Sequence, residues 1–96
     1  MPYRLFLTAE AEEDLAWIEK HDERKLKKVR KALANLQVDP SYPALRSKKL
    51  RNMAGPHRLD LHQSYVENRT PGAWRGFWVY GPEEGSITVT ATIKHP

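Results

Sequence analysis

Residues 86–94 read SITVTATIK, a stretch in which apolar and polar side chains alternate. Alternation with a period of two is typical of a β-strand that buries one face, and β-branched residues favour strands. The sequence therefore predicts a strand over residues 86–94 with one set of side chains facing a core. That set consists of Ile87, Val89, Ala91 and Ile93.

Two further segments upstream also have strand character. Residues 74–80, WRGFWVY, are rich in aromatic side chains, and the segment from His57 alternates leucines with polar residues. Residues 66–72 and 81–85 contain the Pro and Gly residues that are typical of connecting loops. These segments predict an antiparallel meander of three strands in the C-terminal half.

The N-terminal half predicts one short strand followed by two helices. Residues 3–7 alternate like a strand, and Thr8 can cap a helix whose first turn is rich in Glu and Asp. Asp22 is a candidate cap for the second helix, and Pro40 ends it because proline cannot donate the next backbone hydrogen bond. The apolar stripe of the second helix consists of Leu26, Val29, Leu33 and Leu36.

These elements predict the fold class α+β, in the order β-α-α-β-β-β, within a single domain spanning residues 1–96. An antiparallel sheet has to bury one face, and the helical hairpin is the cover that the sequence offers. Residues 44–56 are interpreted as a basic connector without regular structure. Strand alternation also predicts a polar, aromatic set on the uncovered face of the sheet, comprising Arg58, Asp60, His62, Trp78, Tyr80 and the three threonines of residues 86–94.

The composition excludes several classes of protein. The chain has no cysteine, which rules out disulfides, thiolate zinc sites and cysteine nucleophiles. No apolar stretch approaches the roughly 20 residues of a membrane helix. We therefore expect a cytoplasmic protein that does not contact a membrane.

Charge is distributed unevenly along the chain. Residues 1–23 carry two basic and seven acidic side chains, whereas residues 24–58 carry eleven basic side chains and one acidic one. Part of this basic block is the solvated face of the second helix, but no helical period explains the cluster within residues 46–58. A block of this kind suggests a polyanionic partner such as a nucleic acid.

The chain resembles the RelE/ParE superfamily of bacterial type II toxins, especially its YoeB-like and RelE-like members, and the resemblance covers essentially the whole sequence. The similar segments are Lys49-Leu50-Arg51-Asn52-Met53 leading into His57-Arg58-Leu59, Trp74–Tyr80, and the closing Ile93-Lys94-His95-Pro96. RNA-cleaving members of that family cut messenger RNA in the ribosomal A site without a metal, and a cognate antitoxin silences them. The resemblance thus implies an endoribonuclease toxin without a cofactor, whose partners are an antitoxin, the ribosome and messenger RNA.

Cleavage of RNA by its own 2′-hydroxyl group requires a base, an acid and cations around the phosphate. By resemblance, His95 is the candidate acid or base, and Arg75 stabilises the transition-state phosphate. Arg58 is the third candidate catalytic residue, because RNA-cleaving relatives carry a basic residue at this place. The candidate RNA-binding residues are Lys48, Lys49, Arg51, Trp78 and Tyr80.

Two features depart from the YoeB-like pattern. YoeB-like chains tend to end in His-Tyr, whereas this chain ends in His95-Pro96, and the glutamate that helps as base has no clear counterpart. The proton acceptor is therefore unassigned. In addition, Arg75 and His95 share the odd numbering of residues that the alternation predicts to face the helices.

Two other functions are compatible with this scaffold. One is a ParE-like inhibitor that binds DNA gyrase, and the other is a non-catalytic module that binds an antitoxin or a nucleic acid. The combination of Arg58, Arg75 and His95 with the basic connector favours RNA cleavage over gyrase inhibition.

Overall fold

The computed structural model describes residues 2–67 and 73–94, with the backbone alone at residues 93 and 94. Short 3₁₀ turns, Pro43–Leu45 and Pro56–Arg58, interrupt the chain between its regular elements. The predicted α+β class is confirmed. In chain order, the elements are β1 (Arg4–Leu7), α1 (Ala9–His21), α2 (Glu23–Val38), β2 (Lys48–Ala54), β3 (Asp60–Tyr65), β4 (Trp74–Tyr80) and β5 (Ser86–Lys94).

The five strands form one mixed sheet in the order β1-β5-β4-β3-β2. β1 runs parallel to β5, and the other neighbouring strands are antiparallel. The bounds of β4 and β5 match the prediction. Among the described residues, no helix combines the length and the apolar character needed to cross a membrane.

Two predictions about the segment before β3 are wrong. The basic connector assigned to residues 44–56 contains β2, an edge strand whose side chains are mostly exposed and therefore lack a hydrophobic alternation. The next strand begins at Asp60 rather than at His57. His57 and Arg58 both have φ of 58°, a left-handed conformation that belongs to a turn and not to a strand.

Side-chain caps fix the boundaries of both helices. The Thr8 hydroxyl group accepts a 3.2 Å hydrogen bond from the Ala11 N–H at the start of α1. The Asp22 carboxylate accepts a 3.0 Å hydrogen bond from the Lys25 N–H, so the residue that ends α1 also begins α2. The two helices therefore follow each other with a single residue between them.

Where β5 pairs with β4, it contains one extra residue. Phe77 pairs with Ala91, but the next residue, Trp78, pairs with Val89, so Thr90 is left over as a β-bulge. The Thr90 hydroxyl group donates a 3.3 Å hydrogen bond to the carbonyl oxygen of Phe77. The set of β5 side chains that faces the helices therefore changes at Thr90: it is odd-numbered before the bulge and even-numbered after it.

The bulge and the position of Trp78 decide which side chains face the helices. Trp78 is 1% exposed and packs on the helix side of the sheet. Strand alternation then places Arg75, Phe77 and Val79 on the opposite side. The prediction that these odd-numbered residues face the helices is wrong. The buried cluster around Trp78 contains Ala11 of α1, Leu36 of α2, Leu45, Ile87 and Val89.

The predicted solvent-facing set is wrong for Trp78, His62 and Thr92. Thr92 is 1% exposed, and its N–H donates a 2.9 Å hydrogen bond to the Asp14 carboxylate of α1. His62 pairs in register with Trp78, so both side chains lie on the helix side of the sheet. Their rings stack with centroids 4.5 Å apart. Tyr80 belongs to the same side but remains 44% exposed.

The turn before β3 covers part of the side that faces away from the helices. A Cβ atom added to Gly55 would lie 2.5 Å from Cγ1 of Val79 and 3.4 Å from Cδ1 of Leu61. This close approach of the backbone requires glycine. It accounts for the complete burial of Val79 on this side of the sheet.

We expect Trp78→Ala to lower the free energy of unfolding by about 3–5 kcal/mol, because it empties the centre of the core. It also removes the indole N–H that donates a 2.8 Å hydrogen bond to the Ser64 hydroxyl group. Urea denaturation followed by circular dichroism measures the change. Trp17→Ala is the matched control, since Trp17 is 54% exposed. Equal losses in the two variants would contradict this account of the core.

Candidate functional site

Arg75 lies near the start of β4, on the side of the sheet that faces away from the helices. It pairs in register with Tyr65, the last residue of β3, and its guanidinium carbon lies 3.6 Å from the centroid of the Tyr65 ring. Its Nη1 atom donates hydrogen bonds to the carbonyl oxygens of Glu67 at 3.1 Å and Trp74 at 3.2 Å. A cation–π contact and two hydrogen bonds thus hold the guanidinium group in place.

The Nε atom of Arg75 is buried and has no hydrogen-bond partner in the part of the chain that the structure describes. A buried donor without a partner costs about 1–3 kcal/mol. A guanidinium group remains charged and can hold two oxygens of one phosphate at once. Arg75 therefore has the chemistry of a phosphate-binding residue.

A cleft of about 580 Å³ opens beside Tyr65, between α2 and the turn that precedes β2. Lys28 and Lys31 line it from α2, and Arg46 lines it from the turn. Arg46 has φ of 46° and ψ of 45°, a left-handed conformation that is uncommon for a residue with a side chain. Its guanidinium carbon lies 5.9 Å from the Tyr65 ring centroid, so Tyr65 contacts two guanidinium groups.

Glu67 places a carboxylate at the same cleft, and its side chain is only 9% exposed. The carboxylate binds the ammonium groups of Lys25 and, at 3.1 Å, of Lys28, and it accepts a 3.3 Å hydrogen bond from the Trp74 N–H. Burial on its own raises the pKa of Glu67, but these three partners outweigh burial and hold the pKa below its usual value. Glu67 is therefore ionised at neutral pH and is a weak proton acceptor.

The structure does not bring Arg58 together with Arg75. Arg58 is exposed in the turn before β3, whereas Arg75 pairs with Tyr65 at the far end of that strand. The length of β3 separates the two positions, roughly 17 Å at the usual rise of a strand. His95 lies outside the described residues.

The basic residues of β2 are exposed along the edge of the sheet. Lys48 and Lys49 pair in register with Gln63 and His62 of β3. The Lys49 ammonium group lies 3.8 Å from the Asp60 carboxylate, with both side chains largely in solvent. Lys48, Lys49 and Arg51 thus form a cationic edge that is separate from the cleft beside Tyr65.

The two aromatic candidates have different surroundings. Trp78 is buried in the core beneath the His62 ring, so it lacks the open ring face that base stacking requires. The prediction that Trp78 contacts RNA is therefore wrong. Tyr80 is partly exposed beside Tyr3, with ring centroids 5.8 Å apart. It lies on the helix side of the sheet, opposite to Arg75.

Sequence analysis misses Tyr65 and Glu67 as parts of this site. Tyr65 becomes recognisable only through its register with Arg75, which requires the pairing of two strands across a long loop. Glu67 lies in a polar stretch, and neither its residue type nor its spacing from other residues indicates a functional role. Arg46 belongs to the basic block, but its sequence position does not indicate that it lies beside Tyr65. Within residues 2–67 and 73–94, no His, Asp and Glu side chains group as a metal site would require.

Neither the protein-family models nor the curated proteins include a match to this sequence. Solved structures do match over the full chain. The YoeB/ParE toxin from Agrobacterium tumefaciens aligns with a TM-score of 0.73 at 14% identity, covering 97% of this chain and 99% of that one. A chain of the YoeB-YefM complex from Staphylococcus aureus aligns with a TM-score of 0.71 at 13% identity, covering all of both chains. A chain of the archaeal RelE-RelB complex from Pyrococcus horikoshii gives 0.69 at 15% identity, covering 98% and 96%.

The helix pair on one side of a five-stranded sheet and a cleft lined by Lys28, Lys31 and Arg46 define a small α+β protein with a concentration of basic side chains beside Tyr65. Its fold is that of the YoeB and RelE toxins. The predicted RelE/ParE-like architecture is confirmed, with β2 added to the expected order of elements.

We expect the Glu67 cluster to stabilise the protein in a pH-dependent way. Its pKa is lower in the folded protein than the ordinary 4.5, so the stabilisation is present above about pH 4.5 and is lost as the pH falls through the folded-state pKa. Urea denaturation of the wild type and Glu67→Gln over this range tests this. The difference in free energy of unfolding is expected to shrink on acidification.

Glu83→Gln is the matched control for this measurement, because it breaks the Arg4–Glu83 ion pair, which is exposed and contributes little. A difference between the wild type and Glu67→Gln that grows on acidification would contradict the assignment. So would an equal pH dependence in Glu83→Gln.

Proposed function

We propose that this protein is the toxin of a type II toxin–antitoxin pair and that it cleaves messenger RNA on the ribosome. The observation that carries the proposal is the guanidinium group of Arg75, held against the ring of Tyr65, a residue that also lines a cleft with Lys28, Lys31 and Arg46. The fold likeness to the YoeB and RelE toxins supports the toxin class. The chemistry of the cleft supports a phosphodiester as the group on which the toxin acts.

The proposed reaction uses the 2′-hydroxyl group of the RNA as nucleophile. The bond between this oxygen and the adjacent phosphorus forms while the bond to the 5′-oxygen breaks, leaving a 2′,3′-cyclic phosphate and a 5′-hydroxyl group. One proton leaves the 2′-oxygen and another is delivered to the 5′-oxygen. Because charge on the phosphate oxygens increases in the transition state, a cation already in position lowers the barrier.

Arg75 is the proposed transition-state cation. The contacts with Tyr65 and with two carbonyl oxygens restrict its guanidinium group before the substrate arrives, so little reorganisation is needed during the reaction. His95 remains the proposed proton donor or acceptor, because an imidazole with a pKa of about 6.5 exchanges protons near neutral pH. The ionised Glu67 is unsuited to be the missing base.

The remaining basic residues fit RNA binding better than chemistry. We assign Arg58, together with Lys48, Lys49 and Arg51, to contacts with phosphates of messenger or ribosomal RNA, since the length of β3 separates Arg58 from Arg75. Such contacts require charge but little geometric precision. Tyr80 is retained as a candidate RNA contact from the helix side of the sheet.

The proposed protein partner is a cognate antitoxin. YoeB-YefM and RelE-RelB are the named complexes among the structural relatives. A protein with a net charge of +4 and a concentrated basic surface attracts an acidic segment of such a partner. Localisation in the cytoplasm follows from the proposed action on ribosomes.

Arg75→Ala is expected to slow cleavage about 10²- to 10³-fold, the usual loss when a preorganised transition-state donor is removed. Purified protein is incubated with translating ribosomes, and the 5′ ends of the message are mapped over time. Arg4→Ala is the matched control, because Arg4 is an exposed arginine paired with Glu83. Cleavage by Arg75→Ala at the wild-type rate would overturn the assignment. Inhibition of DNA supercoiling by the wild type without message cleavage would instead indicate a gyrase inhibitor.

Lys49→Ala and Arg51→Ala are expected to weaken ribosome binding by lost phosphate contacts. The slope of log affinity against log salt concentration is expected to become less negative by about one for each phosphate contact removed. Filtration or sedimentation binding at several salt concentrations measures this slope. Lys20→Ala, which removes an exposed lysine from α1, is expected to leave the slope unchanged. An unchanged slope in the β2 variants would argue against phosphate contacts along this edge.

A further inference from the structure

We infer that Glu67 is a positioning residue that acts through Arg75, an inference that rests on the proposed RNA cleavage. Its main-chain carbonyl oxygen accepts the 3.1 Å hydrogen bond from Nη1 of Arg75. This oxygen orients the guanidinium group only if the backbone of Glu67 is itself fixed. The side chain of the same residue supplies that fixation.

The carboxylate of Glu67 ties its own backbone to two other elements. Ion pairs with Lys25 and Lys28 attach it to α2, and the hydrogen bond from the Trp74 N–H attaches it to the first residue of β4. The Glu67 N–H also donates a 3.2 Å hydrogen bond to the Trp74 carbonyl oxygen. Arg75 directly follows Trp74 in β4. The Arg75 guanidinium group and the Glu67 carbonyl oxygen that accepts its hydrogen bond are therefore both held in place relative to the start of β4.

The same carboxylate has an opposite effect on substrate binding. Lys28 lines the cationic cleft, and Glu67 neutralises part of its charge. Removing the negative charge would therefore make the cleft more attractive to RNA phosphates while loosening the support of Arg75. A residue that only stabilises the fold would not tighten substrate binding when it is changed. A positioning role is therefore identified by a fall in kcat that depends on Arg75 and is not accompanied by weaker binding.

The test uses Glu67→Gln, which preserves the size of the side chain and an oxygen acceptor for the Trp74 N–H. Cleavage of ribosome-bound message is followed at several RNA and ribosome concentrations to separate kcat from KM. We expect kcat to fall about 10- to 100-fold, the range for displaced catalytic groups, while KM stays equal or decreases. Glu83→Gln, the matched loss of an exposed carboxylate, is expected to behave like the wild type.

A double variant tests whether Glu67 acts through Arg75. If it does, adding Glu67→Gln to Arg75→Ala produces no further loss of kcat, because the group that Glu67 positions is already absent. If Glu67→Gln does not fold, Lys25→Met removes one ion pair and keeps the aliphatic stem beside Trp74. That variant is expected to lower kcat in the same direction by a smaller factor.

Three results would overturn the inference: a kcat for Glu67→Gln equal to that of Glu83→Gln, a rise in KM with unchanged kcat, or an equal fold loss with and without Arg75. Failure of the proposed function would appear differently. In that case the wild-type protein would leave the message intact.

Discussion

The burial of Trp78 against the two helices is the constraint on which the rest of the structure depends. Its ring is the largest of the fully buried side chains, and its indole N–H is paired with Ser64. A strand has two faces, so fixing one side chain inward fixes its neighbours outward. With Trp78 inside, Arg75 has to lie on the side away from the helices. The bulge at Thr90 lets β5 follow this arrangement while keeping Val89 in the core.

The two sides of the sheet therefore have different roles. The helix side holds the apolar core, and the opposite side presents Arg75 with Tyr65 as its support. Basic side chains also line the cleft beside Tyr65, where the ionised Glu67 pairs with Lys25 and Lys28 of α2. In the proposed function, this arrangement keeps the guanidinium group in place while the cleft retains a net attraction for phosphates. The exposed lysines of β2 extend that attraction along the sheet edge.

Much of the fold could be predicted from the sequence because its signals are local. Caps at Thr8 and Asp22 and the alternation of residues 86–94 predict the two helices and the last strand. The faces of β4 could not be predicted, because WRGFWVY is apolar in both alternating sets and a one-residue bulge leaves no mark in the sequence. β2 was missed because an exposed edge strand has no buried face to produce a pattern.

The candidate site could be predicted only in part. Arg75 was found through resemblance, whereas Tyr65 and Glu67 join it through strand register and tertiary contacts that no spacing in the sequence encodes. The catalytic role of Arg58 is predicted by resemblance, and the RNA contact of Trp78 by the assumption that even-numbered residues of the strands share an open face. The burial of Trp78 in the core shows that this assumption is wrong. Arg58 lies in a turn and not in a strand.

The central claim is that RNA binds on the side of the sheet that carries Arg75. NMR titration of the isotopically labelled protein with a short RNA carrying 2′-O-methyl groups, which cannot be cleaved, tests this directly. The account predicts the largest chemical-shift changes at the Arg75 Nε–H, Tyr65 and Arg46. Changes centred on His62 and Tyr80, with the Arg75 signal unmoved, would contradict it.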